Sequence, residues 1–250
     1  IVNTPQKYAA LTGVEVLTGR EAVEVAPDKK QVKVKNLGSG EMEEYSYDSL
    51  VIATGASSIV PGLPGTSLEG VFTMRAPEDA ITMRDYVQQK GARSAVVVGG
   101  GFIGLEIAEN LKAQGLRVTV VDVMSQVLPN VFDFEMADYA KRHLEKNGIR
   151  VLTSTSLKSI LGEQKVTGVQ LDSGMLSADL VALSVGIRPN TAFLEGSGID
   201  MERGLIVVDD QMKTSVEDIY AAGDCVQVKN RLTGAPQWSA MGSSANCEGR

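Results

Sequence analysis

Residues 96–122 constrain the fold of this chain more than any other stretch. A short apolar run typical of a buried strand leads into the pattern G-x-G-x-x-G, which occupies residues 99–104. A segment with apolar residues at helical spacing follows, and a second apolar run ends at Asp122. This order predicts a strand, a glycine turn, a helix and a second strand, as in the dinucleotide-binding units of doubly wound α/β proteins.

Each glycine of the pattern has a predicted task. Gly99 makes the tight turn, Gly101 lets the backbone approach a pyrophosphate, and Gly104 lets the helix lie close to the strand. The N–H groups at the helix start hold the phosphates, and Asp122 binds the adenosine ribose. Glycine turns also occur in plain strand–helix packing, but here the acid follows Gly104 by eighteen residues, which favours dinucleotide binding.

The residues beside Asp122 bear on coenzyme choice. A carboxylate at this point binds a ribose 2′-hydroxyl and repels a 2′-phosphate. Val123 and Met124 add no basic group. The sequence therefore predicts a preference for NADH over NADPH.

Composition excludes several kinds of partner and predicts a compartment. The net charge is -7 over 250 residues with no cluster of Lys and Arg, which argues against nucleic acid or an anionic membrane as a partner. No apolar run approaches the roughly 20 residues of a membrane span. Cys225 and Cys247 make no disulfide framework, so we expect a cytoplasmic protein. We predict no metal site.

Short alternating segments separated by turn residues fill much of the rest of the chain. They predict strands at 14–17 and 50–54, and two antiparallel meanders, one within 21–47 and one within 157–178. The succession of a meander, a buried strand and a glycine thus occurs twice, as two similar nucleotide-binding units would produce. Only one of the two shows a phosphate turn.

Five motifs in a fixed order connect these segments to a known family. They are Ala53-Thr54-Gly55-Ala56, Gly99-Gly100-Gly101-Phe102-Ile103-Gly104-Leu105-Glu106, Val185-Gly186-Ile187-Arg188-Pro189-Asn190, Ile219-Tyr220-Ala221-Ala222-Gly223-Asp224 and Ser244-Ala245-Asn246. With them the chain resembles the FAD-dependent pyridine nucleotide-disulfide oxidoreductases. The similarity is greatest to the branch of NADH oxidase, NADH peroxidase and coenzyme A-disulfide or persulfide reductases.

The resemblance implies an α/β fold with two kinds of domain. Residues 93–205 would be a Rossmann-like NAD(H) domain with a parallel sheet and an antiparallel meander. It would be inserted in a partial FAD-binding domain of the same type, made of residues 1–92 with the first meander and of residues 206–250. The parent enzyme would pass hydride from NADH to FAD, and from there electrons to a disulfide, persulfide, peroxide or oxygen.

The resemblance also implies roles for individual residues. NADH would contact Gly99, Gly100, Gly101, Phe102, Ile103, Gly104, Asp122, Gly186 and Ile187. FAD would contact Thr54, Gly55, Gly223 and Asp224. Phe102 would cover the flavin ring until nicotinamide displaces it, and Glu106 would lie on the nicotinamide side. By residue type alone the ordinary interpretations are favoured: a core aromatic for Phe102, a solvated helix residue for Glu106 and a strand-end turn for Asp224.

Three parts of such enzymes have no counterpart in these 250 residues: the glycine turn for the FAD pyrophosphate, the redox cysteine and the C-terminal dimerisation domain. We therefore expect little or no turnover from this stretch alone, and a homodimeric parent acting on a small molecule or a small thiol or disulfide. Two alternatives stay open. One is a flavin-free NAD-binding sensor or interaction module, and the other is a reductase for a ferredoxin, rubredoxin or nitrite-reducing partner.

Overall fold

The computed structural model describes residues 4–250, which form two compact units. Among the described residues, one unit contains 4–57 and 188–250, and the other contains 58–187. The α-helices are α1 (Pro5–Thr12), α2 (Pro77–Lys90), α3 (Phe102–Ala113), α4 (Phe134–Lys146) and α5 (Gly242–Glu248). The strands are β1 (Arg20–Ala26), β2 (Gln31–Asn36), β3 (Met42–Ser46), β4 (Leu50–Ile52), β5 (Ala56–Ser58), β6 (Val71–Phe72), β7 (Ser94–Val98), β8 (Arg117–Val121), β9 (Ile149–Leu152), β10 (Leu157–Leu161), β11 (Gly168–Leu171), β12 (Gly174–Ser177), β13 (Leu180–Leu183), β14 (Ile187–Pro189), β15 (Met201–Glu202), β16 (Leu205–Val207), β17 (Ile219–Ala221), β18 (Val226–Lys229) and β19 (Pro236–Gln237).

The unit of residues 58–187 is built on a parallel five-stranded sheet in the order β6-β13-β7-β8-β9. Apolar residues follow one another along β7 because both faces of the sheet are covered. Val97 packs on the helical side with Ile107 and Leu111 of α3. Val96 and Val98 belong instead to the core on the side of the antiparallel meander β10-β11-β12.

The register of this sheet brings three strand ends to one edge. Val98 at the end of β7 pairs with Val121 of β8 on one side and with Leu183 of β13 on the other. The segments that follow these three strands therefore emerge side by side. In open α/β sheets this carboxyl edge is where ligands bind.

The other unit contains the antiparallel meander β1-β2-β3, the parallel pair β17-β4 and a sheet in the order β15-β16-β18-β19. Its core combines Val25 from β1, Ile52 from β4 and Ile206 from β16 with the fully buried Cys225. Helix α1 ends at Gly13, whose φ of 72° is the left-handed conformation that glycine adopts at low cost.

The predicted fold class is confirmed, with the two meanders and the parallel sheet in the expected parts of the chain. The strand predicted at 14–17 is wrong. Its alternating apolar residues Val14, Val16 and Leu17 are 50%, 36% and 46% exposed, and the segment forms no strand. Alternation stabilises a strand only where a neighbour supplies the ladder and an apolar surface, and this segment has neither.

The compact units and the predicted cofactor domains divide the chain at different places. Residues 58–92 belong with the parallel sheet, because β6 pairs with β13 and α2 places Met83 and Val87 in the core beside β7. Residues 188–205 belong to the other unit. The assignment of 93–205 to NAD(H) and of the flanking residues to FAD concerns cofactor binding and stays a prediction.

Within residues 4–250, no helix combines the length and the apolar character that crossing a membrane requires.

Candidate functional site

A cleft of about 500 Å³ lies at the carboxyl edge of the parallel sheet. The residues after β7, β8 and β13 form its floor, and the segment before β10 closes one side. Four of the residues predicted to bind NADH line it: Gly99, Gly101, Asp122 and Gly186. Ile187 follows Gly186 directly, as the first residue of β14.

Two glycines of the turn are required by close backbone contacts. Gly99 has a φ of 110°, and a Cβ there would overlap the carbonyl oxygen of Ser184. A Cβ on Gly104 would overlap the carbonyl oxygen of Gly99. These contacts pack β7, β13 and α3 together, so Gly99 and Gly104 serve the fold itself.

Gly101 differs, because no atom outside its own and the two adjoining residues lies within 4 Å of the position that its Cβ would take. Its φ of -80° is also accessible to any residue. Neither packing nor backbone conformation of the protein therefore requires a glycine here. The empty volume lies at the start of α3, where it would let a ligand come close to the protein backbone.

The start of α3 offers hydrogen-bond donors. Gly101 is the N-cap residue and provides no side chain to accept from the first turn. The first N–H groups of a helix lack intrahelical partners and lie at the positive end of its dipole, so they attract anions. The open space at Gly101, these donors and the adjoining cleft fit a dinucleotide pyrophosphate.

Asp122 is 9% exposed, and both of its carboxylate oxygens accept backbone hydrogen bonds. Oδ2 accepts from the N–H of Gly100 at 2.5 Å, and Oδ1 accepts from the N–H of Met124 at 2.7 Å. Each oxygen has a second lone pair for a ribose hydroxyl. Asp122 therefore fixes the glycine turn as well as facing the cleft, a role that its position in the sequence did not reveal.

Gly100 is held from its other side by a segment that the sequence did not single out. The N–H of Leu128 donates to the Gly100 carbonyl at 2.9 Å. Leu128 has a left-handed φ of 51° and is 7% exposed, and the preceding Val127 is fully buried. Residues 123–130 are thus anchored over the turn, and a non-glycine residue keeps a strained conformation there.

Phe102, Ile103 and Glu106 line a second cavity, an apolar groove of about 580 Å³ between α2 and α3. Phe102 is 58% exposed and Ile103 is 43% exposed. The interpretation of Phe102 as a core aromatic is therefore wrong, since its ring lies at the surface. These three residues are not among those that line the cleft containing Asp122.

The residues predicted to bind FAD lie together in the other unit. Thr54 and Gly55 follow β4, and Gly223 and Asp224 follow β17. The two strands are parallel, and the N–H of Ala222 donates to the Ile52 carbonyl at 3.0 Å. Both turns therefore emerge at the same edge, where a hydroxyl and a carboxylate fit the hydroxyl groups of a ribitol chain.

Helix α5 and the segment before it support the second of these turns. Glu248 Oε2 accepts a hydrogen bond from the N–H of Gly223 at 2.7 Å, and the indole N–H of Trp238 donates to the Asp224 carbonyl at 3.0 Å. The buried thiol of Cys225 lies 3.3 Å from the Ala222 carbonyl. Cys225 is thus a packed core residue, whereas Cys247 is exposed.

A parallel sheet, a glycine turn at its carboxyl edge, an open helix start and an acid after the second strand define a dinucleotide-binding α/β protein. Comparison with known families is more specific. Residues 5–242 match the pyridine nucleotide-disulphide oxidoreductases, so the chain belongs to that family, and the predicted family is confirmed.

Individual relatives agree with this family. An NADH oxidase from Methanocaldococcus jannaschii is 38% identical, over 100% of this chain and 56% of its own length. An NAD-dependent persulfide reductase from A. fulgidus is 39% identical with a TM-score of 0.94, over 100% of this chain and 46% of that one. An FAD-dependent pyridine nucleotide-disulphide oxidoreductase from Desulfovibrio vulgaris is 36% identical with a TM-score of 0.87, over 95% and 60%. The chain thus spans about half the length of these relatives.

Proposed function

We propose that this chain is the NADH-binding part of a flavin-dependent oxidoreductase. The parent would take hydride from NADH and deliver electrons to a disulfide, persulfide, peroxide or oxygen. When both cofactors are bound, NADH supplies a hydride that FAD accepts and passes on as electrons. The task of the residues described above is to bind and align the two.

The empty space at Gly101 carries this proposal. Glycine there relieves no contact within the protein, in contrast to Gly99 and Gly104. This helix start opens into a cleft. A glycine there is explained by a ligand that must come close to the protein backbone. The relatives named as NADH oxidase and NAD-dependent persulfide reductase support NADH as that ligand.

The lining of the cleft supports NADH over NADPH. In the described chain, Asp122 is the one charged residue among those that line it. Val123 and Met124 are 66% and 47% exposed and bring no cation to the place of a 2′-phosphate. An uncompensated carboxylate repels that phosphate and accepts a hydrogen bond from a 2′-hydroxyl.

Phe102 and Glu106 would act on the nicotinamide side. Phe102 begins α3 and is 58% exposed, so its ring is free of the core and able to cover or leave a neighbouring ring. Glu106 lies one turn further along the same helix and lines the same groove. We propose that both orient the reacting rings and exclude water, while the redox thiol belongs to another part of the parent.

Further properties of the parent are part of the same proposal. We expect a homodimer in the cytoplasm that acts on a small molecule or a small thiol or disulfide. A reducing compartment suits a chain whose two cysteines are both free thiols, one buried and one exposed.

Two preparations test the function. The complete gene product should contain FAD, and anaerobic NADH should bleach its visible absorption, with NADPH markedly less effective. Residues 1–250 alone should bind NADH in a fluorescence titration but show no NADH turnover. A complete gene product that binds NADH without flavin would favour a sensor module instead. Stoichiometric FAD and disulfide reduction in residues 1–250 alone would contradict the expected inactivity.

A further inference from the structure

Asn190 ends the motif Val185-Gly186-Ile187-Arg188-Pro189-Asn190, and the roles assigned so far use only the glycine and isoleucine of that motif. Its hydrogen bonds reach a distant part of the chain, the turn after β4. Four of them connect Asn190 to Thr54, Gly55 and Ser57. Thr54 and Asn190 are separated by 136 positions in the sequence.

Main chain and side chain of Asn190 are both engaged. The N–H of Asn190 donates to the Gly55 carbonyl at 2.9 Å, and the Thr54 hydroxyl donates to the Asn190 carbonyl at 2.7 Å. Asn190 Nδ2 donates to the Thr54 carbonyl at 3.0 Å, and the Ser57 hydroxyl donates to Asn190 Oδ1 at 2.8 Å. A carbonyl can only accept, so Nδ2 must face Thr54, and the orientation of the amide is fixed.

These bonds orient the turn. The carbonyls of Thr54 and Gly55 both point at Asn190, and the C=O and N–H of a trans peptide point in opposite directions. The Gly55 N–H is therefore presented on the side away from Asn190. The Thr54 hydroxyl uses its proton on Asn190, which leaves its oxygen as an acceptor.

We infer that Asn190 is a positioning residue for the flavin: it fixes the Thr54–Gly55 turn so that the turn presents one N–H donor and one hydroxyl acceptor to FAD. The inference rests on the proposed function, since FAD binding is part of that proposal. Asparagine suits this position because it combines a donor and an acceptor on one short planar group. Asp has the same shape but places an oxygen opposite the Thr54 carbonyl, where repulsion replaces the hydrogen bond.

The test is the affinity of the apo form of the complete gene product for FAD, titrated by flavin fluorescence well below each variant's unfolding temperature. Asn190→Asp should raise the dissociation constant for FAD about 10-fold or more. Ser57→Ala removes one hydrogen bond and leaves the Thr54 contact, so it should raise that constant by no more than about 3-fold. The NADH dissociation constant should be the same as in the wild type for both variants.

Asn147→Asp is the matched control. Asn147 Nδ2 donates to the His143 carbonyl at 2.8 Å at the end of α4. The same Asn-to-Asp substitution is therefore made away from the Thr54–Gly55 turn. It should leave FAD affinity at the wild-type value. If Asn190→Asp does not fold, Asn190→Ala decides by the same criteria, because it removes both side-chain bonds without introducing repulsion.

The outcomes separate this inference from the function on which it rests. FAD binding by Asn190→Asp at wild-type affinity overturns the inference and leaves the proposed function intact. Equal weakening of FAD and NADH binding, or equal effects of Asn190→Asp and Asn147→Asp, also overturns it, because the effect is then general. A wild-type protein that takes up no FAD refutes the proposed function together with this role.

Discussion

Gly101 and Gly104 belong to one motif but meet different surroundings. A Cβ at Gly101 enters open space, whereas one at Gly104 overlaps the carbonyl oxygen of Gly99. The same alanine substitution should therefore affect ligand binding at Gly101 and the stability of the fold at Gly104.

We predict that Gly101→Ala leaves stability unchanged within about 0.5 kcal/mol and weakens NADH binding at least about 10-fold, because the methyl group occupies the space for the pyrophosphate. Gly104→Ala should lower the free energy of unfolding by about 1–3 kcal/mol, since α3 must move away from β7. Urea unfolding and NADH titration of both variants give the comparison. Destabilisation by Gly101→Ala, or tight NADH binding in it, would contradict the role given to the open space.

At the scale of the elements, Asp179, which lies immediately before β13, connects the starts of β13 and β7. Its Oδ2 accepts from the N–H of Arg93 at 2.9 Å, and from the N–H and the hydroxyl of Ser94 at 2.9 Å and 2.8 Å. Desolvation by burial raises the pKa of this carboxyl, but the hydrogen bonds lower it more, so the pKa lies below its ordinary value of 3.8. The carboxylate thus stabilises the start of β7 beside β13.

This pKa shift predicts a pH dependence of stability. A depressed carboxyl pKa contributes stability that is complete above the unfolded-state value of 3.8 and is lost as pH falls through the lower folded-state value. Asp179→Asn should cost about 1 kcal/mol at pH 7, a modest figure because solvent screens the exposed carboxylate. The difference from wild type should shrink below about pH 4. Urea unfolding of both proteins at pH 7 and pH 3 measures this difference in the free energy of unfolding. The same difference at both pH values would refute the stabilising role of the Asp179 carboxylate.

Helices and strands were predictable from the sequence where the pattern of apolar residues reflects which side chains are buried. The valines of β7 follow one another because the sheet is covered on both faces, and the alternation in β1 and β2 reflects a meander. The failure at 14–17 has the same origin, since alternation shows which side chains are apolar and not whether a neighbouring strand exists.

Single contacts between distant segments were not predictable. The glycine turn and the acid after β8 carry a local signature, so their place in one cleft followed from the sequence. The hydrogen bonds of Asp122 to Gly100, of Glu248 to Gly223 and of Asn190 to Thr54 depend on how the chain returns on itself. Nothing in the spacing of those residues encodes them.

At the scale of the whole molecule, the groove between α2 and α3 presents apolar side chains to solvent. Ile81 and Phe102 on its rim are 48% and 58% exposed, whereas Met83 at its base is 4% exposed. Ile81→Lys should therefore change stability by less than about 0.5 kcal/mol, because a lysine head group there reaches solvent.

Met83→Lys is the matched comparison on the same helix. It should lower the free energy of unfolding by about 3 kcal/mol or more, because it brings a charge into the core. Binding of a hydrophobic dye should fall in Ile81→Lys, since the rim becomes polar. Equal destabilisation by the two variants in urea would show that the rim is packed rather than exposed.

The two hydrogen bonds of Asp122 have a consequence for how coenzyme preference changes in such a protein. The carboxylate that we propose disfavours a 2′-phosphate also accepts hydrogen bonds from the N–H groups of Gly100 and Met124. Replacing this acid in a change toward NADPH would therefore also release two backbone N–H groups of the glycine turn and the loop after β8, so we expect the replacement to act on the loop as well as on the ribose site. We expect a change of coenzyme that also supplies other acceptors for those amides to keep more of the binding energy than one that only removes the carboxylate.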